Sequence, residues 1–278
     1  QGTGIGYDTS ANMYKGTVEA ISQRFYDDIE LAWKEAFLLS QIEVSSLDVY
    51  NASQTASTGD DFALLAQILS GDDLIEMSDY DDTMRGFDGA DYMIGFGGDD
   101  TLSGDAGKDE LFGSAGDDTL LGGLGKDSLF GGIDNDILRG GDQGDELDGG
   151  EGRDKLFGEQ GNDKLSGRED NDILRGGAGN DVLRGGEGRD KVFGGAGEDL
   201  FKFKTGDGID IIKDFHAGFL AHDQISLRGL DSVTSWNDLK NNHMEQVGNA
   251  VVIDGGDGDL LILKNTDVGD LMKAFFDF

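Results

Sequence analysis

From Gly86 to Lys202 a buried-type residue returns at every ninth position. The series is Met93, Leu102, Leu111, Leu120, Leu129, Leu138, Leu147, Leu156, Leu165, Leu174, Leu183, Val192 and Phe201. Everything between is glycine, acid or small polar residue, and one phrase, written thirteen times without loss of register, generates the pattern. A full copy reads Gly176-Gly177-Ala178-Gly179-Asn180-Asp181-Val182-Leu183-Arg184, with glycine first, aspartate sixth and an apolar residue eighth in every copy. Such a fixed period predicts a repeat architecture. The glycine-rich half cannot be helix interior, where each Gly costs roughly 1 kcal/mol against Ala, but it suits a tight curl with positive φ. The half x-Leu-x predicts a three-residue strand with one side chain inward and two outward. Two copies then make one coil, and residues eighteen apart stack at about 4.8 Å across a parallel ladder.

On this register the sixth-position aspartates fall on two edges. One carries Asp91, Asp109, Asp127, Asp145, Asp163, Asp181 and Asp199; the other carries Asp100, Asp118, Asp136, Asp154, Asp172 and Asp190. Carboxylates about 5 Å apart repel by roughly 1–3 kcal/mol per neighbour, which over the array rivals a domain's net stability of about 5–15 kcal/mol. A cation between them removes the conflict. Carboxylate and glycine-carbonyl oxygens, with no Cys or His in the array, suit a hard ion, and calcium better than magnesium because it accepts many flexible oxygen ligands. The expected ligands are these aspartates together with Asp82. The carbonyls expected to join them are those of Gly104, Gly107, Gly122, Gly125, Gly149, Gly152, Gly176, Gly179, Gly185, Gly188, Gly194 and Gly197. Neighbouring pairs along the two edges give about eleven sites, and up to about thirteen if Asp73 and Asp82 take part.

The array resembles the repeats-in-toxin (RTX) family, whose phrase is Gly-Gly-x-Gly-x-Asp-x-apolar-x. The resemblance implies a calcium-bound parallel β-roll in an exported protein. Departures are Asp134, Gln143 and Asp170 at the fourth position, and Phe87, Phe96, Asp105, Ser114, Glu159 and Arg168 at the second. They place the loop geometry at those turns in question, not the fold. A disordered Gly/Asp linker would not keep an apolar residue at every eighth place.

The expected fold is all-β: a parallel β-roll with β-rich caps at both ends and one or two short helices in the N-terminal cap. Three regions are expected. Residues 1–67 form the N-terminal cap, 68–202 the roll (68–85 as degenerate repeats), and 203–278 a C-terminal β cap. Gly71, Asp73 and Ile75 keep the fourth, sixth and eighth positions of one decayed copy; Asp82 and Met84 keep the sixth and eighth of the next. Terminal repeats of a solenoid are usually atypical in this way. Within residues 17–39, Ile21, Phe25, Ile29, Trp33 and Phe37 suit a helix, whereas alternation around Leu31 and Trp33 suits strands, as do leader segments ahead of RTX arrays. Short helices are predicted over residues 46–52 and 60–69. Beyond Lys202, residues 247–254 and 259–264 flank Gly255-Gly256-Asp257-Gly258, a hairpin signal. The tail ending Phe275-Phe276-Asp277-Phe278 resembles the C-terminal cap and uncleaved secretion signal of type I secreted RTX proteins. Asp207, Asp210 and Asp214 are either one further cation site or solvated turn acids.

A net charge of −35 argues against a nucleic-acid partner, which needs a basic face. About eleven calcium ions would leave roughly −13. The absence of cysteine excludes a disulfide framework and thiolate metal sites. No apolar run reaches the ~18 residues of a membrane span, and no Sec-type leader is expected after Gln1. His216, His222 and His243 form no His-Glu-x-x-His motif. There is no Gly-x-Ser-x-Gly elbow, and no Gly-Lys-Ser/Thr follows the glycine loops, so no enzyme is expected. At the ninth position Ser103, Leu121, Arg139, Phe157, Arg175 and Phe193 share one sheet, while Phe112 and Phe130, with Tyr92 and Ile94 nearby, share the other. These read either as ladder stabilisation or as an apolar strip for a partner.

The reading is a secreted, calcium-dependent β-roll protein with a structural or adhesive extracellular role. The competing reading is the calcium-binding and secretion module of a larger enzyme, an epimerase or hydrolase. The partners expected are calcium ions, the type I secretion machinery during export, and a cell-surface polysaccharide or a second copy of the chain.

Overall fold

The structure, a computed structural model, describes residues 70–77, 79–218 and 222–278. The strands or helix anticipated within 17–39 and the helices over 46–52 and 60–69 lie outside these residues, as does the expected cap over 1–67. Among the described residues the chain is a stack of coils in which successive strands alternate between two sheets. One sheet has 10 strands and the other 11. Within the array every neighbour is parallel and eighteen residues away, as in Leu102↔Leu120 and Leu120↔Leu138 on one sheet, and Met93↔Leu111 and Leu111↔Leu129 on the other.

The eighth-position side chains from both sheets meet in a single file. Met93 and the leucines from Leu102 to Leu183 are at most 3% exposed. Each coil therefore contributes only two large side chains to the core. The decayed copies continue the stack: Ile75 pairs with Met93, and Met84 with Leu102.

The strands are longer than the three residues expected. Thr101–Gly107 spans 7 residues and Lys155–Gln160 spans 6. Pairing resumes past the first glycine, with Glu159 opposite Gly177 and Gln160 opposite Ala178, so the backbone bends there without leaving the ladder. Non-glycine residues at the second position keep the left-handed conformation, with Phe87 at φ 72°, Asp105 at 69° and Arg168 at 86°. The turn geometry therefore survives those departures. Charged residues at this position are paired with the preceding coil: Arg85 with Asp105 (2.7 Å), Arg139 with Glu159 (2.8 Å), and Arg168 with Asp148.

After Lys202 the two sheets continue with altered spacing. Ile209–Ile212 joins Lys191–Ala196, and Gln224–Ser226 joins Leu200–Lys202. Phe276–Asp277 then closes one sheet beside Gln224–Ser226. The anticipated hairpin is present: Ala250–Gly256 runs antiparallel to Asp259–Lys264, with Met244–Val247 outside it. Here the single file of leucines widens into a core of Phe203, Leu239, Val251, Ile253, Leu263 and Phe275. One short helix, Trp236–Asp238, interrupts these strands; Ser235 caps it by accepting the Asp238 amide. The helix was not anticipated, being too short to carry a periodic signal.

Candidate metal centre

The turn that follows each strand sets the geometry of the sixth-position aspartates. The two glycines curl the chain back, and the aspartate side chain folds under the curl, against the backbone of its own turn. From Asp91 to Asp199 these residues are at most 2% exposed. One oxygen of each carboxylate is occupied. The Asp109 amide donates to Asp127 Oδ1 (2.9 Å), the Asp127 amide to Asp145 Oδ1 (2.9 Å), and the Asp145 amide to Asp163 Oδ1 (2.8 Å). The other edge does the same, from the Asp82 amide on Asp100 Oδ1 (2.8 Å) to the Asp172 amide on Asp190 Oδ1 (2.8 Å). A carboxylate ladder eighteen residues in pitch thus stitches each coil to the next.

The second oxygen has no hydrogen-bond partner. This holds for Oδ2 of Asp73, Asp91, Asp100, Asp109, Asp118, Asp127, Asp136, Asp145, Asp154, Asp163, Asp172, Asp181, Asp190 and Asp199. Buried polar atoms normally have a partner, so a whole row without one calls for a missing group.

The first-position glycines set how closely the oxygens of two coils approach. A Cβ on Gly122 would lie 2.5 Å from Asp127 Oδ2 and 2.6 Å from the Gly140 carbonyl oxygen. On Gly176 it would lie 2.1 Å from Asp181 Oδ2 and 2.6 Å from the Gly194 oxygen. Two oxygens on adjacent coils therefore pack against a glycine that no residue with a Cβ could replace. The carbonyls of Gly104, Gly149, Gly176, Gly185 and Gly194, anticipated as ligands, occupy this position. So do those of Gly113, Gly131, Gly140 and Gly167, which were passed over although the period puts them in the same place. The fourth-position carbonyls of Gly107 and Gly179 instead point at the fourth-position glycines of the next coil, Gly125 and Gly197. Gly122, Gly152 and Gly188 also lie in these turns.

A second row runs beside the first. At the fifth position the amides of Asp117, Asn135 and Arg153 donate to Oδ1 of Asp99, Asp117 and Asn135, one coil earlier. Its signal was Asp or Asn recurring at that position.

Burial dominates the electrostatics. It raises Asp109, Asp145 and Asp181 to about 7 and Asp136 and Asp172 to about 8, against an ordinary 3.8. The amide one coil back pulls each down, and neighbouring aspartates push it up again. Ionised together at neutral pH, the row would need counter-charge. Among the described residues no three His, Cys, Asp or Glu side chains converge on a point, so backbone carbonyls would complete any coordination shell. The donors are then all oxygen, numerous and irregular, which fits calcium.

The three acids beyond the array do not form one site. Asp207 accepts from Arg184 Nη2 (2.6 Å) and the Lys204 amide (2.9 Å); Asp214 accepts from the amides of Gly194 (3.0 Å) and Gly195 (3.2 Å). His243 Nδ1 lies 2.8 Å from the Asp254 carbonyl oxygen, and the His222 ring lies 4.9 Å from Phe275. On the outer faces the Arg139 guanidinium sits 4.5 Å from the Phe157 ring and that of Arg175 4.1 Å from Phe193. Phe112 and Phe130 stack at 4.8 Å with 8° between planes. The rings turn their faces to each other along the ladder, which favours ladder stabilisation over a strip for a partner.

Residues 69–102, 94–129, 130–165 and 166–201 each match the RTX calcium-binding nonapeptide repeat. No curated protein sequence matches the chain. Among solved structures, the chain is similar to the crystal structure of extracellular lipase LipA from Serratia marcescens. The identity is 18% and the TM-score 0.30, covering 83% of this chain and 42% of that one.

Proposed function

Residues 69–201 belong to the RTX family of calcium-binding nonapeptide repeats wound into a β-roll, and from that premise we propose that the chain is an extracellular module whose fold is switched on by calcium. The observation that carries the reading is the row of buried Oδ2 atoms without partners from Asp91 to Asp199, each packed against a first-position glycine. Asp91 to Asp199, with Asp82 at the N-terminal end, are the proposed carboxylate ligands, and the first-position glycine carbonyls their companions. About eleven ions is the proposed number. Bound calcium supplies the positive charge that lets neighbouring buried carboxylates ionise together.

The regions proposed are those of the sequence: an N-terminal cap over 1–67, the roll over 68–202, and a C-terminal cap and secretion signal over 203–278. For a site affinity of about 10⁻⁴ M, typical of extracellular modules, calcium near 1 mM stabilises the fold by about 1.4 kcal/mol per site, or about 15 kcal/mol over eleven. At submicromolar calcium the sum vanishes, and a core of two large side chains per coil is too thin to hold the array. The chain would then stay unfolded inside the cell, suit passage through a type I export channel, and fold outside. Its role there is structural or adhesive, toward a polysaccharide or a second copy of the chain. No enzymatic activity is proposed for these residues. The module reading, in which a catalytic part belongs to a longer protein, makes the same demands on the roll.

Circular dichroism in excess chelator tests the switch. Little β signal is expected without calcium, and a cooperative gain over a narrow calcium range, since each coil completes its neighbour's ligand set. Full β signal in chelator would show that the fold sustains itself.

A further inference from the structure

The outer face of the 11-stranded sheet changes sign along the roll. In the first coils the turns leading into its strands carry Asp81, Asp99 and Asp117 at the fifth position. From Asn135 to Phe193 no fifth, seventh or ninth position on this sheet is acidic. Arg153 and Lys155 stand at the start of Lys155–Gln160, Arg175 lies on Ile173–Ala178, and Arg189 and Lys191 stand at the start of Lys191–Ala196. The three strands are consecutive neighbours. A longer period lies behind this. Arg-Asp-Lys-apolar-Phe occupies residues 153–157 and again 189–193, while Asn-Asp-Ile-Leu-Arg occupies 135–139 and again 171–175. Each phrase returns after two coils, so the Arg and Lys pairs repeat along the stack at about 9.6 Å, twice the strand spacing.

All five cations are exposed. Among the described residues none of them has an acidic partner; the ion pair on this stretch of the sheet is Arg139 with Glu159. Arg175 lies on the Phe193 ring at 4.1 Å, a contact that holds its guanidinium without neutralising it. In a chain of net charge −35, five unpaired cations on one flat face form a local field of the opposite sign, which steers an anionic ligand to that face.

The strip is narrow. Asp134 and Asp170 are exposed in the turns on one side of it, and Glu159 at the bend on the other. An anionic membrane, wider than the strip, would press on these acids. A second copy would bring its own negative charge. A single polymer chain lying along the stack meets neither obstacle, and its regular charges match a regular surface. Guanidinium groups also pair with carboxylates in a fixed fork.

We propose that Arg153, Lys155, Arg175, Arg189 and Lys191 dock a linear polysaccharide bearing carboxylates, laid along the axis of the roll. The proposal rests on the extracellular, adhesive reading above and selects the polysaccharide over the second copy.

Calorimetry of the full calcium-loaded chain with short oligogalacturonate and hyaluronan fragments tests it. Expected is binding of an acidic fragment that weakens as salt is raised, and none of a neutral dextran fragment. Lys155→Gln combined with Lys191→Gln should weaken binding by roughly tenfold or more. Lys164→Gln, on the other sheet, should leave it unchanged, and calcium uptake should be the same in all three proteins. Undiminished binding by the double variant, equal binding of dextran, or no binding of either acidic fragment overturns the proposal. So does retention on anionic phospholipid vesicles in place of the fragments, or a dimer in their place that the double variant loses. Should the double variant fail to take up calcium, the unaltered chain decides, since binding indifferent to salt overturns the proposal and salt-sensitive binding supports it. A chain that gains no β signal in calcium is a different failure, which overturns the calcium reading beneath and the proposal with it.

Discussion

A methyl group at residue 122 would occupy the place where Asp127 Oδ2 and the Gly140 oxygen converge, 2.5 and 2.6 Å away. Gly122→Ala should therefore remove about one ion and cost roughly 2–4 kcal/mol, the range of a substitution that breaks a buried polar network. Gly71→Ala is the control, since nothing lies within 4 Å of its Cβ. Equal calcium counts and melting temperatures for the two variants would contradict the assignment. Asp145→Ala deprives the Asp127 amide of its acceptor and removes a mid-ladder ligand, so it should lose about two ions, against about one for the end variant Asp199→Ala; equal losses in a calcium titration would argue against shared ligands. The same carboxylates fix a pH response. In the calcium-free fold Asp136 and Asp172 are raised to about 8 from an ordinary 3.8. The fold then binds more protons than the unfolded chain, so their contribution is full below about pH 4 and lost as pH rises toward about 8. In chelator, acidification from about pH 8 to about pH 5 should increase the β signal. In calcium, acid should instead raise the concentration needed for folding, because a ligating carboxylate must be deprotonated. A chelated sample whose spectrum ignores pH would contradict this.

At the scale of the strand, the outer faces carry contacts between coils. Arg175→Ala removes the contact with Phe193 at 4.1 Å and should cost about 0.5–1 kcal/mol with the calcium count unchanged; a lost ion would mean that the outer face and the ladder are coupled. The strands inside the array were legible because each copy poses the same local problem, with Leu129 in its nonad placed as Leu138 is in the next. Their length was not, because pairing passes through glycines that read as turn, as Gly177 opposite Glu159 shows. Asp223, which accepts the Asp199 amide, was missed as a rung because a search at eighteen residues cannot find a neighbour twenty-four away. The Arg139–Glu159 and Arg168–Asp148 pairs were also missed. They join the ninth position of one copy to the second position of another, a relation visible only once coils are stacked.

For the molecule as a whole, a net charge of −35 is tolerable only with counter-ions fixed inside it. About eleven calcium ions would leave roughly −13, so electrophoretic mobility should fall by more than half on saturation, after correction for size. A mobility unchanged by calcium would mean that few ions are held. The alternation of strands between two sheets also makes the chain a counting device with parity. An eighteen-residue excision, such as residues 122–139, removes one whole coil and returns every later aspartate to its own edge. A nine-residue excision, residues 122–130, sends each later aspartate to the opposite edge and each later leucine to the opposite sheet. The repeats would accept the exchange, being alike, but Ile209–Ile212 and Gln224–Ser226 are built for different sheets. The odd deletion should therefore leave the roll able to take up calcium while the hairpin beyond it loses its seat, and lengthening of such a gene by duplication is constrained to even numbers of nonads.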